Sequence, residues 1–143
     1  MTENLPTSLL MFITSRAASD RIFGAMHDAG YHVTIAQGRL LMGVDPEGTR
    51  LSVLADRAQI AKQTATSLVD KLERAGYVER VPDPSDGRAR LVRLTARAEA
   101  ARPVARAEEA RIEAEWEGHL GPERMRQLRE ALTALREITD PYR

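Results

Sequence analysis

Apolar residues recur at mostly three- and four-residue intervals through residues 8–28. Leu9, Leu10, Phe12, Ile13, Ile22, Phe23 and Met26 mark a first long helix that ends near Gly30, after a loose lead-in over residues 1–7. Residues 35–44 carry a second helical pattern, and the DPEG stretch at 45–48 is a turn signal. Short helices are predicted over 52–58 and 62–75, the latter stopping where Gly76 can take a left-handed conformation at little steric cost. The pattern then changes. Residues 77–81 and 90–94 read as strands, and the PDPSDG segment between them has no apolar content and is predicted to project as a loop. Thr95 can cap a long helix running toward Trp116, with Ala101, Ala105, Ile112 and Trp116 on one face. Pro103 is predicted to kink or break that helix. Gly121 and Pro122 restart the chain, and Met125, Leu128, Leu132, Leu135 and Ile138 stripe a last helix.

This order gives a mainly α (α+β) fold: a winged helix-turn-helix between long N- and C-terminal helices. The expected organisation is one domain over residues 1–143. Residues 34–95 form the winged helix-turn-helix, and 1–33 and 96–143 are dimerisation helices. The terminal helices carry more apolar surface than a small head can cover, so a second copy is the economical cover and a homodimer is expected. A monomer whose end helices fold back is the alternative.

Composition narrows the picture. The chain has no cysteine, which removes disulfides and thiolate metal sites. No apolar run approaches the roughly 18–20 residues of a membrane span, and Ser8–Ile13 is too short for a signal-peptide core, so a cytoplasmic protein is expected. The formal net charge is zero, which argues against a strongly basic nucleic-acid binder. Its distribution is uneven. Residues 57–93 hold 8 Arg/Lys against 5 Asp/Glu, a net of +3, while 1–56 and 95–143 are net −2 and −1.

In the fourth helix Ile60, Ala65, Leu68, Val69 and Leu72 fall inward, which leaves Lys62, Gln63, Thr66, Ser67 and Lys71 outward and toward the leading end. An α-helix fits the major groove. Gln63 can pair bidentately with adenine, Lys62 can reach guanine or phosphate, and Thr66 offers a hydroxyl and a methyl. An ordinary solvated helix face would look similar. The basic hairpin downstream tilts the reading toward duplex DNA. Arg80 lies on its first strand, and Arg88, Arg90 and Arg93 follow its turn, where an arginine can enter the minor groove while neighbours hold phosphates. Asp86 is unfavourable beside DNA unless paired, and is expected to orient an arginine.

The segments LADRAQIAKQTATSLVDKLERAGYVER at 54–80 and DPSDGRARLVRLT at 83–95 resemble the MarR (multiple antibiotic resistance regulator) family. Asp86-Gly87-Arg88 matches that family's Asp-x-Arg wing element. The resemblance implies a triangular dimer with two winged reading heads on pseudo-palindromic operators, acting as a repressor released by small phenolic or lipophilic ligands. It also implies that Met26, His27, Tyr31 and His32 border a regulatory pocket; plain packing between helices is the other reading of those four. The chain departs from the family pattern at Gln59, where glycine is usual, at Ala61, where a capping serine is common, at Ser67, where arginine is frequent, and at Ala98, where glycine is common.

Other chemistry finds little support. His27, His32 and His119 show no metal spacing, Gly38 and Gly43 lack the context of a phosphate loop, and Glu108, Glu109 and Glu113 sit among arginines that can pair with them. Neither an enzyme, a cofactor nor a metal is expected. The alternative to a DNA-binding regulator is a winged helix used only for contact with other proteins.

Overall fold

The structure, a computed structural model, describes residues 4–142, so the first three residues of the predicted lead-in and Arg143 lie outside the described residues. It contains two compact units, residues 1–105 and 106–143. The first holds α1 (Thr7–Asp28), α2 (Ile35–Met42), α3 (Leu51–Ala58), α4 (Lys62–Arg74), strands β1 (Val78–Asp83) and β2 (Asp86–Leu94), and the start of α5 (Ala96–Leu120).

The core of this unit forms where the helical periodicity points inward. Leu40, Leu54, Val69 and Leu72 are fully buried, together with Ala55, Ala65, Tyr77, Val78 and Val92. Each large side chain buried in this way contributes roughly 1.5–3 kcal/mol. Alanines at 55 and 65 put no bulk between α3 and α4, so the two helices of the helix-turn-helix can approach closely.

The helix ends show how local chemistry sets this geometry. Thr34 and Gln37 make a reciprocal capping box at the start of α2, the Thr34 hydroxyl accepting from Gln37 N–H at 3.1 Å and the Gln37 side chain accepting from Thr34 N–H at 3.0 Å. Helix α4 closes in a Schellman motif. Gly76 sits at φ +84°, with Tyr77 N–H on the Leu72 carbonyl and Gly76 N–H on that of Glu73. Helix α3 closes in the same way, with Ile60 N–H on Ala55 and Gln59 N–H on Asp56, but here the left-handed residue is Gln59 at φ 55°. A side chain in that conformation costs on the order of 1 kcal/mol. The turn between the two helices therefore holds its shape against a local penalty.

The hairpin differs from its predicted outline. The strands reach Asp83 and Asp86, so half of the PDPSDG segment expected to be loop (Pro82, Asp83 and Asp86) belongs to the ladder and the turn shrinks to Pro84–Ser85. The ladder pairs Val78 with Leu94, Glu79 with Arg93 and Pro82 with Arg90, then jumps to Asp83 with Asp86. Gly87, Arg88 and Ala89 thus have no opposite residue and form a bulge in β2. The stretch was apolar-poor because it is exposed, not because it lacks backbone pairing. A further bridge joins Thr49 to Val92, with N–H to carbonyl distances of 2.9 and 2.8 Å in the two directions. The residue that leads into α3 is thereby fixed to the wing.

Helix α1 contains no buried residue, and Leu9, Leu10, Met11, Phe12 (59% exposed) and Ile13 are all exposed. Its other half is engaged: Phe23 and Met26 pack on the core, and the Phe23 ring lies against Gly38 of α2 so closely that a Cβ there would sit 2.4 Å from its Cζ. Any side chain at position 38 would have to displace that ring.

The second unit holds the rest of α5 and α6 (Pro122–Thr139). Ile112 and Met125 are buried, Trp116 and Leu128 half-buried, and Arg129 reaches Glu113 at 3.1 Å. Pro122 occupies the first turn of α6, as its missing N–H allows. The apolar stripe then emerges into solvent: Leu132, Leu135 and Ile138 (83% exposed) are all exposed. Of the kink or local break expected at Pro103, the break does not occur, because α5 runs through it from Ala96 to Leu120. Proline removes one helical hydrogen bond, and the turns on either side suffice to carry the helix across.

Candidate nucleic-acid interface

Two faces of the first unit carry the residues expected to meet DNA. On α4, Lys62, Gln63, Ser67 and Lys71 are exposed and Thr66 is half-buried. The Thr66 hydroxyl donates to the Lys62 carbonyl at 2.9 Å, so it offers only an acceptor outward. The helix starts without a side-chain cap. Ala61 occupies the N-cap with extended backbone and has nothing to give the free N–H groups.

On the wing the arginines divide. Arg80 donates to Asp70 of α4 at 2.7 Å and approaches Glu73 at 3.8 Å. Arg93 grips Glu79, its cross-strand partner, with Nε at 3.0 Å and a terminal nitrogen at 2.7 Å. These two, read from sequence as DNA-facing with the others, are occupied within the protein. Arg88 and Arg90 are exposed, and their guanidinium groups have no carboxylate partner among the described residues; the same holds for the ammonium groups of Lys62 and Lys71.

The Asp-x-Arg element has a local physical basis. The Oδ1 of Asp86 accepts the Arg88 N–H at 3.1 Å, which fixes the backbone of the bulge from which Arg88 projects. Asp86 thus orients the Arg88 main chain rather than pairing with its guanidinium.

The residue that sequence reasoning missed is Arg50, the N-cap of α3. Its Nε and a terminal nitrogen reach the Asp83 carboxylate at 2.9 and 2.8 Å, and the same terminal nitrogen lies 3.9 Å from Asp86. Asp83 is buried, and its other oxygen accepts from the Ser85 N–H at 2.9 Å and hydroxyl at 2.7 Å. Those Ser85 bonds and the Arg50 guanidinium hold the Asp83 carboxyl down to about 2, against the upward pull of burial. Arg50 and Asp83 lie 33 positions apart, and no local spacing announces the pair.

The residues suggested to border a regulatory pocket cluster at the end of α1. Tyr31 N–H bonds the Met26 carbonyl at 2.9 Å, and Met26 and Tyr31 are half-buried against the core. His27 and His32 are exposed and meet edge-on with their Nδ1 atoms 2.8 Å apart, a contact in which one ring donates and the other accepts. Among the described residues no group of three or more His, Asp or Glu is placed to hold a metal ion, and no helix is long and apolar enough to cross a membrane.

Comparison with known proteins agrees with this geometry. A family model described as MarR family matches residues 32–89, from just before α2 into the wing. No curated protein matches the chain. Among solved structures, one described as MarR is 25% identical, with 97% of this chain and 94% of that one covered and a TM-score of 0.76. Wild-type apo MarR from E. coli superposes at a TM-score of 0.75 with 20% identity, covering 93% of this chain and 98% of that one. The transcriptional regulator Tm0710 from Thermotoga maritima does so at 0.67 with 24% identity, covering 94% of each chain. The last two establish the fold. The family segment lies on the helix-turn-helix and wing, and the fold of the solved MarR structures is shared over nearly the whole length of this chain.

Proposed function

We propose that this protein is a sequence-specific regulator that binds duplex DNA in the cytoplasm as a homodimer on pseudo-palindromic sites, and that it acts as a ligand-responsive repressor. The observation that carries the reading is the sorting of cations in the head. Arg50, Arg80 and Arg93 are paired inward, while Lys62 and Lys71 on α4 and Arg88 and Arg90 on the wing are exposed and have no carboxylate partner among the described residues. Exposed cations on a helix and a neighbouring hairpin suit phosphate neutralisation on a duplex. Gln63 and Thr66 would read bases, Ser67 lies beside them without a cationic arm, and Arg88 would enter the minor groove. Arg80, Arg93 and Asp86 would serve by holding the wing.

Residues 34–95 act in this reading as the DNA-binding head, and 1–33 and 96–143 as dimerisation helices of one functional domain. The exposed apolar residues of α1 and of the end of α6 supply the surface that a second copy would cover. Two heads would then meet successive major grooves about 34–36 Å apart. Met26, His27, Tyr31 and His32 would border the effector site, where the hydroxyl of a small phenolic ligand could exchange hydrogen bonds with the paired imidazoles. Such a ligand lowers DNA affinity only if it prefers the arrangement that does not bind.

Selection of bound fragments from genomic DNA, followed by titration against salt with and without phenolic compounds, tests the proposal. A recovered inverted repeat whose affinity falls steeply with salt is the expected result. Absence of duplex binding at low salt would leave the head as a protein-contact module instead. Replacement of Gln63 by Ala should change which sequences are recovered more than it weakens binding to random duplex.

A further inference from the structure

The two carboxylates at the end of the wing are used in the same way. Asp83 gives one oxygen to Ser85 of its own turn and the other to Arg50. Asp86 gives Oδ1 to the Arg88 N–H and turns Oδ2 toward Arg50 at 3.9 Å. Each acid thus shapes wing backbone with one oxygen and faces the same external guanidinium with the other. The backbone at Arg50 is fixed on both sides. Thr49 beside it is bonded in both directions to Val92, and the Arg50 carbonyl accepts the Val53 and Leu54 N–H groups that open α3.

We propose that Arg50 is a positioning residue for the wing: anchored at the start of α3, it holds the Asp83–Arg88 segment in the shape that presents Arg88 to DNA, and its charge offsets the buried Asp83 and the exposed Asp86. The inference rests on the DNA-binding reading given above. Among the other wing cations, Arg80 is held by Asp70, Arg93 is held by Glu79, Arg88 is the group being presented, and Arg90 has no carboxylate partner among the described residues. Arg50 acts through Arg88 and not as a phosphate ligand, because two of its donors converge on Asp83 Oδ2. Lysine cannot reproduce that two-donor grip, since its single ammonium has no fixed fork.

The test pairs affinity with exchange. Duplex affinity is measured for the wild type, Arg50→Ala, Arg50→Lys, Arg88→Ala and the Arg50→Ala/Arg88→Ala double variant, and amide hydrogen exchange is followed in the free proteins. Arg50→Ala should lose on the order of tenfold in affinity, with Arg50→Lys between it and the wild type. The double variant should bind like Arg88→Ala alone to within about twofold, because the two residues act as one unit. In the free protein the Ser85 and Arg88 amides should exchange roughly fivefold faster in Arg50→Ala, while those of Leu54 and Leu72 keep their rates. Losses that multiply in the double variant would make Arg50 a phosphate contact in its own right and overturn the proposal, as would unchanged exchange at Ser85 and Arg88. If the wild type binds no duplex, the DNA reading is what fails, and the exchange comparison alone then decides whether Arg50 holds the wing.

Discussion

Helix α4 and the hairpin that follows it are held by opposite means. The hairpin is seated in the core through Val78 and Val92, and polar contacts fix the rest of it: Arg80 to Asp70, Arg93 to Glu79, Arg50 to Asp83, and the Thr49–Val92 bridge. Helix α4 shares only the Arg80 contacts, through Asp70 and Glu73 in its second half. Ala65, Val69 and Leu72 bury its inner face completely, while its start has no cap and the turn before it carries Gln59 in a left-handed conformation. Apolar burial holds a helix axis firmly and leaves its first turn free to fray; directional bonds hold a loop's shape without a core beneath it. The element with weaker local order is therefore the start of the reading helix, where Lys62 and Gln63 stand.

The largest effect should come from removing what α4 depends on. Leu72→Ala is expected to destabilise the protein by about 2–5 kcal/mol in denaturant unfolding, and a loss below about 1 kcal/mol would show that burial is not its main support. Arg88→Ala should leave unfolding unchanged yet cost about 1–3 kcal/mol of duplex binding, measured by anisotropy. Equal binding by that variant would remove the wing from the interface.

Two repairs sharpen the contrast from the other side. Ala61→Ser should add about 1 kcal/mol by capping α4. Gln59→Gly should add about 0.5–1 kcal/mol, the relief of a strained φ less the extra freedom glycine has when unfolded. A destabilised glycine variant would mean that the Gln59 side chain contributes more than its backbone costs.

The smallest effect is one of pH. Because the folded Asp83 carboxyl titrates near 2 against an ordinary value of 3.8, its contribution is complete above about pH 4 and is lost as pH falls toward 2. The Ser85 amide resonance should report that transition, and Asp83→Asn should abolish it. A midpoint near 4 would mean that Arg50 and Ser85 do not hold the carboxylate in solution.

Much of this fold was legible in the sequence. The helical spacing of apolar positions located α1 to α4 to within a residue or two, and in α2 to α4 the same apolar contacts that make the core write the period. The Thr34-x-x-Gln37 box was legible too, as a local pattern, and was overlooked. The extent of the wing was not, since Asp83 and Asp86 look like turn residues while their backbones continue the ladder. Sequence also treated the wing arginines alike. Register separates them: Arg93 stands opposite Glu79, whereas Arg90 stands opposite Pro82, which offers no charge. Arg50 lay beyond any local rule, because its partner is brought to it only by the fold.

The missing side chain at Gly38 has a mechanical consequence. With the Phe23 ring occupying the space a methyl group would need, a side chain at position 38 would have to push that ring aside. The disturbance would land on Phe23, through which the inner half of α1 packs on the core.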